Sequence, residues 1–306
     1  MHIQWYPGHM HKAGKEIKGI MPQVDLVIEI LDARIPFSSE NPMLGLLRGD
    51  KPCIKILGKS DLADPKITLQ WQTFLEREQG VKTLALTMEQ PEKMRQIADL
   101  CHKMLATDEA GSRLVHALIM GIPNVGKSTL INILAGRMIA KTGNEPAITK
   151  TQQRINIGRN IVLLDTPGLL WPNVENKNSG YRLAATGAIK DTALKHEAIA
   201  LFALDYLLAT YPERLQARYQ LPELPDSADG LLDAVGRKRG CLRSGGHVDS
   251  DRAAKILLSE LRAGVLGRIS LETPEMRERE LTELANIREL KAAKKQARKK
   301  QWQATL

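Results

Sequence analysis

The chain has 306 residues, with 44 Lys and Arg against 35 Asp and Glu, a formal net charge of +9 and a pI near 9.4. A hydrophobic fraction of 43% supports a packed core and excludes a wholly disordered chain. Cys53, Cys101 and Cys241 are odd in number and far apart, which excludes a disulfide framework or a Cys-x-x-Cys zinc site and leaves buried, inert thiols. No run reaches the roughly 18 apolar residues of a membrane helix. The N-terminus, MHIQWYPGHMHK, lacks the apolar core of a signal peptide. The expected location is the cytoplasm, with no membrane contact.

In chain order, residues 12–21 read as a short helix after the Pro7-Gly8 turn. VDLVIEIL, at 24–31, and 53–57 read as strands buried on both faces. A helix is expected at 65–79, a strand at 81–86 and a helix at 91–105. After the polar stretch 106–113 come a strand at 114–120, a Gly-rich loop and a helix at 127–134. Segments 155–157 and 161–165 flank a Gly-Arg-Asn turn and predict a hairpin. Strands alternating with helices predict an α/β doubly wound sheet. Strand signals then stop, and helices are expected at 196–208, 249–262 and 273–301. The expected division is a domain over 1–185, with an N-terminal extension at 1–22, and an all-α domain over 186–306.

Positive charge is concentrated in two places. Residues 288–300, RELKAAKKQARKK, hold seven bases and one acid, a net +6. Arg237, Lys238, Arg239 and Arg243 cluster in GRKRGCLRSGG, which reads as a basic loop. Together they point to a polyanionic partner such as RNA. With 4% aromatic residues, contacts to phosphate should dominate over base stacking.

Gly121-Ile-Pro-Asn-Val-Gly-Lys-Ser128 matches G-x-x-x-x-G-K-[ST] between an apolar strand and a helix. Glycines let the backbone wrap a phosphate, and the N–H groups form a nest at a helix N-terminus. Asn124, Val125, Gly126, Lys127, Ser128 and Thr129 are therefore candidate phosphate-binding residues. Lys127 reaches for the terminal phosphates and Ser128 for magnesium. Asp165-Thr-Pro-Gly168 follows the last strand, with Asp165 placed to bind magnesium through water and the Gly168 N–H to meet a γ-phosphate. Thr149, between the two motifs, is the candidate switch threonine capping the metal.

Gly58-Lys59-Ser60-Asp61 also follows a strand. GTPases read guanine with Asn/Thr-Lys-x-Asp in such a place, the Asp accepting from the base and the Lys stem packing along it. Gly58, Lys59 and Asp61 are the candidate guanine residues. The base motif precedes the phosphate loop here, the reverse of the usual order. Domain termini lie close enough to be joined and reopened elsewhere, so the order predicts a circularly permuted P-loop GTPase, with 106–113 as the joining linker.

The chain resembles the ribosome biogenesis GTPase A family (RbgA, also called YlqF) along nearly its whole length. Trp5-Tyr6-Pro7-Gly8-His9-Met10, Asp32-Ala33-Arg34-Ile35-Pro36, GIPNVGKS, DTPG and Gly245-Gly246-His247-Val248-Asp249 carry the resemblance. It implies a GTPase acting in late maturation of the large ribosomal subunit. Its partners would be the subunit precursor and its rRNA, contacted by the helical domain, and the chain would be a monomer. Three positions depart from the family. Gly58 stands where Asn is usual, Ala147 where Gly is frequent, and Leu86-Thr87-Met88 where a Ser-Ala-Lys loop covers guanine. Thr87 and Met88 remain candidates through their backbone.

Leu169-Leu170 follow Asp-x-x-Gly, so no side chain there orients water. Asn124 matches the Asn that coordinates potassium in cation-dependent GTPases, and a cation near the phosphates would stabilise charge. His9, with a reference pKa near 6.5, is the second catalytic candidate. Hydrolysis is expected to be slow alone and stimulated by the subunit. The competing reading is a nucleotide-gated ribosome-binding protein with little or no turnover.

Overall fold

Strands rich in branched apolar residues form the centre of the molecule. In the computed structural model, which describes residues 17–87, 90–106, 113–139, 153–166, 176–189 and 195–303, every residue of β1 (Leu26–Asp32) is buried. Two short helices, α1 (Pro36–Ser39) and α2 (Pro42–Arg48), lead to β2 (Cys53–Gly58), also buried throughout. Then come α3 (Pro65–Leu75), β3 (Val81–Ala85), α4 (Pro91–Met94) and α5 (Gln96–Leu105). β4 (Val115–Gly121) enters α6 (Lys127–Ala135), and β5 (Gln153–Asn156) and β6 (Ile161–Asp165) form the expected antiparallel hairpin. The elements that follow are helices: α7 (Lys177–Ala185), α8 (His196–Thr210), α9 (Pro212–Tyr219), α10 (Ala228–Lys238), α11 (Ser250–Arg262) and α12 (Pro274–Gln303).

The sheet has the order β3-β2-β1-β4-β6-β5, with β5 alone antiparallel. The chain winds from β1 outward to β3, then restarts at β4 and winds the other way. The order therefore reverses between β1 and β4, where a doubly wound sheet opens a crevice at its C-terminal strand ends. This is the doubly wound sheet in permuted order, followed by a helical region. Leu204 and Leu207 of α8, Leu231 and Val235 of α10, and Leu257 and Leu258 of α11 are buried in a core continuous with that of the sheet.

Some sequence expectations need correction. The helix expected over 91–105 is two helices meeting at Arg95, whose dihedrals stay helical (φ −63°, ψ −25°). The helix expected to reach residue 79 ends at Leu75 because the chain tightens: Arg77 N–H bonds the Phe74 carbonyl and Glu78 N–H the Leu75 carbonyl, each at 3.3 Å. α1, α2, α7, α9 and α10 were not expected. The basic loop is partly helix, since Arg237 and Lys238 form the last turn of α10. Ser227 caps that helix by accepting from Gly230 N–H at 3.1 Å, and bases in its last turn suit the helix dipole.

The helical region is stitched to the base-motif side of the sheet. After α11, Ile269 N–H donates to the Leu62 carbonyl and Leu271 N–H to the Arg34 carbonyl, both at 2.8 Å. Trp71 Nε1 donates to the Glu272 carbonyl at 3.1 Å. Beside this seam Arg182 of α7 lies between Glu272 (3.2 Å) and Glu280 of α12 (2.6 Å), all three buried.

Candidate active site

The phosphate loop starts where β4 meets the switch point. Gly121 pairs with Ile30 of β1. A Cβ at Gly121 would stand 2.8 Å from the Ile30 carbonyl oxygen and 2.8 Å from Val125 Cγ1, so only glycine fits. Asn124 (φ 60°) and Gly126 (φ 100°) take left-handed backbone, which curls the loop and turns its N–H groups inward. Gly126 is the N-cap of α6, whose first-turn N–H groups face an incoming anion.

Lys127 begins α6 and is ion-paired with Asp165 at the end of β6, both buried. Burial disfavours both charges: it pushes Lys127 down and Asp165 up, against their mutual attraction. Asp165 Oδ1 takes the lysine, while Oδ2 is buried with no hydrogen-bond partner. A buried carboxylate oxygen left over in this way suits a hydrated metal ion. Asp165 therefore fits the magnesium expected from the sequence, with Ser128 following Lys127 in the first turn of α6.

The base motif lies on the next strand but one. Gly58 pairs with Asp32 across β1 and β2. Lys59 has left-handed backbone (φ 55°), and Leu62 N–H closes the turn on its carbonyl at 3.0 Å. Ser60 N–H donates to the Leu86 carbonyl at 3.3 Å, which brings Thr87, buried just past β3, beside the motif. Asp61 is half-buried. A Cβ built at Gly58 would lie 3.4 Å from the Val125 carbonyl oxygen of the phosphate loop. An Asn there would thus aim at the loop, and glycine removes that tie. The structure brings Gly58, Lys59, Asp61 and Thr87 to one end of the sheet with Asn124 to Thr129 and Asp165. His9, Met88, Thr149 and Gly168 lie outside the described residues, as does Ala147.

Several site residues had no role in the sequence reading. Asp32 accepts from Lys59 Nζ at 3.3 Å and from Arg34 at 2.7 Å on the same oxygen. Arg34 Nη1 reaches the Arg262 carbonyl at 3.5 Å, and Arg262 donates to the carbonyls of Ala184 (2.8 Å) and Ala185 (3.1 Å) at the end of α7. Asn124 Nδ2 donates to the Gly187 carbonyl just beyond, at 2.9 Å. The end of α11 thus contacts Arg34 directly and the end of α7, whose following residue Gly187 holds the phosphate-loop Asn124. An acid and an arginine closing a strand, as in Asp32-Ala-Arg34, were the available signal.

The candidate RNA residues separate. Arg237 and Arg243 are exposed, with partners Asp233 (2.7 Å) and Asp249 (3.1 Å), and Lys238 is exposed. Arg239 turns inward. It pairs with Glu260 and lies 5.6 Å over the Tyr219 ring, and Glu260 also holds Arg218 at 2.9 Å and the Tyr219 hydroxyl at 3.0 Å. All three cysteines are buried, and burial pushes the Cys53 and Cys101 thiols up to about 12.

Strand–GIPNVGKS–helix at a switch point, with Gly-Lys-Ser-Asp ending a neighbouring strand, defines a P-loop GTPase in circularly permuted order. A family model described as 50S ribosome-binding GTPase matches residues 116–223. Ribosome biogenesis GTPase A of Bacillus cereus is 43% identical over 298 residues, covering 95% of this chain and 100% of the relative. Two solved structures are similar. GDP-bound YlqF is 29% identical with TM-score 0.62, covering 85% of this chain and 99% of its own. GNP-bound YlqF from T. maritima is 28% identical with TM-score 0.61, covering 87% and 99%. The chain belongs to the ribosome biogenesis GTPase A family. It is a GTPase, with GTP as substrate and GDP as product.

Proposed function

We propose that this GTPase acts late in assembly of the large ribosomal subunit, docking on the precursor and its rRNA in the GTP state. The observation that carries the reading is the seam between the nucleotide site and the basic helical region. Leu62, the residue after the base motif, is bonded to Ile269 after α11, and phosphate-loop residue Asn124 to Gly187 after α7. A change at the site thereby has a direct mechanical route to the helices. Arg237, Lys238 and Arg243 supply phosphate contacts, and the 288–300 segment supplies steering. Arg239 shapes that surface through Glu260. The division falls near residue 185, and the protein works as a cytoplasmic monomer.

Within the site, Asn124, Val125, Gly126, Lys127, Ser128 and Thr129, with Gly168, bind the phosphates. Lys59 and Asp61, supported by Gly58, Thr87 and Met88, bind guanine. Ser128, Thr149 and Asp165 hold magnesium, which when bound neutralises charge on the β- and γ-phosphate oxygens. Lys127 is released from Asp165 to the phosphate as nucleotide enters. His9 is the second catalytic candidate, suited to proton handling, and Asn124 would hold potassium near the phosphates, where the cation would stabilise developing charge. Hydrolysis should then be several-fold faster in potassium than in matched sodium buffer, and equal rates would remove Asn124 from that role.

Restoring the missing side chain tests the base motif. Gly58→Asn should tighten GDP and GTP by roughly 0.5–1.5 kcal/mol, one neutral hydrogen bond, when read by calorimetry. Weaker or unchanged binding would show that the motif is not tied to the phosphate loop in this way. The functional reading itself is tested by GTP turnover with and without purified large subunits. Stimulation by the large subunit and none by the small one is expected. Equal turnover in all three conditions would contradict it.

A further inference from the structure

We propose that Asp32 is the positioning residue of the guanine site: its carboxylate pins the Lys59 ammonium, and Arg34 pins the carboxylate. The inference rests on reading Lys59 as the lysine that packs along the purine. Asp32 ends β1 directly across from Gly58, so its side chain reaches the base motif from the neighbouring strand. Its Oδ2 accepts from Lys59 Nζ at 3.3 Å and from Arg34 Nη2 at 2.7 Å. Its Oδ1 accepts from Arg34 Nε at 2.9 Å and from the Arg34 N–H at 3.1 Å. Its own N–H donates to Ser39 Oγ at 3.0 Å. Backbone and carboxylate are therefore both held, and the acid is 2% exposed.

Arg34 is fixed from behind. It is 2% exposed, its Nη1 reaches the Arg262 carbonyl and its carbonyl accepts from Leu271 N–H at 2.8 Å. Burial works against its charge, but the Asp32 carboxylate outweighs burial, and Asp61 adds to the effect. The acids Asp32 and Asp61 and the bases Arg34 and Lys59 thus form a charge-balanced array around a site for a neutral base. A free lysine loses much rotamer freedom when it is ordered by a ligand. Pinned at its charged end before nucleotide arrives, Lys59 presents its methylene stem without that loss at the moment of binding.

A carboxylate that merely held Arg34 would affect stability and not act through Lys59. The two cases separate in a double-mutant cycle on the full-length protein. GDP affinity is measured by calorimetry, and folding by thermal unfolding, for wild type, Asp32→Asn, Lys59→Ala and the double variant. Each single variant should weaken GDP about tenfold, the scale of a lost charge-assisted contact. The double variant should be no weaker than either. Independent effects that multiply to about a hundredfold would overturn the proposal. Unchanged affinity in Lys59→Ala would instead remove Lys59 from the guanine site, and the proposal with it. If Asp32→Asn does not fold, Lys59→Met decides, because it keeps an apolar stem and leaves the Asp32–Arg34 pair intact. Binding as weak as Lys59→Ala supports the pin, and wild-type affinity overturns it.

Discussion

Lys127→Ala should abolish measurable GTP binding in calorimetry while leaving a folded protein. The lysine is buried at the mouth of a loop whose backbone is curled by Asn124 and Gly126, and its present partner is the carboxylate of Asp165. A polyphosphate entering this loop replaces that partner with a denser negative charge. Truncating one partner of a desolvated, hydrogen-bonded charge pair at a binding site typically costs roughly 2–5 kcal/mol, about 1.5 to nearly 4 decades in affinity. The fold should tolerate the change better than the site does. Burial already pushes Asp165 up, so without the lysine it can take a proton instead of remaining a bare charge. Unchanged affinity would mean that phosphate does not sit over Lys127.

Arg182→Ala should produce the largest stability loss of any single substitution at the seam. Its guanidinium lies between Glu272 and Glu280, and Ser38, in the short helix α1 after β1, donates to Glu272 from its hydroxyl and, at 2.9 Å, from its N–H. Asn176 and Asn178, at the start of α7, donate to Glu280, the latter at 3.1 Å. One arginine therefore joins α7 to α12 and, through Glu272, to α1. Without it two buried carboxylates face each other uncompensated, at a cost of roughly 3–5 kcal/mol, read as a lowered midpoint in thermal or urea unfolding. The deficit should shrink toward acid pH. Burial raises Glu272 above its ordinary value, and a raised carboxyl favours the folded state on the acid side and loses that contribution as pH rises. A variant as stable as wild type at neutral pH would contradict this account of the seam.

The sheet was legible because burial on both faces leaves an unmistakable signal. VDLVIEIL and HALIM are rich in branched apolar residues, and both became central strands. GIPNVGKS was legible because phosphate wrapping demands glycine at fixed spacing, and at Gly121 the structure adds a second demand, close approach to Ile30 and Val125. What escaped was short or tertiary. α2 and α7 announce themselves only by a capping Asn, Asn41 accepting from Met43 N–H at 3.0 Å and Asn176 from Asn178 N–H at 2.8 Å. α10 was hidden by its glycines. Position 236, inside the helix, needs glycine because a Cβ there would meet Val248 Cγ1 at 2.3 Å, so the glycine serves close packing of the 242–248 turn against the helix. The Asp32–Lys59 contact spans 27 residues and depends on strand register, which no local pattern reports.

Nucleotide-dependent co-sedimentation with large ribosomal subunits, run across a salt series, tests the central claim most directly. Wild type, a truncation lacking 288–306 and a variant with Arg237, Lys238 and Arg243 reversed to Glu would each be loaded with a GTP analogue, GDP or no nucleotide. Wild type should bind most tightly with the analogue, and linkage requires the subunit to tighten nucleotide in return. Its affinity should fall linearly on a log–log salt plot, with a slope of about −0.9 per phosphate contact on duplex-like RNA. The reversed-charge variant should bind weakly under every condition, and the truncation should show a shallower slope. Equal binding by all three proteins, indifferent to nucleotide and to salt, would contradict the claim that this GTPase docks on rRNA through its helical region.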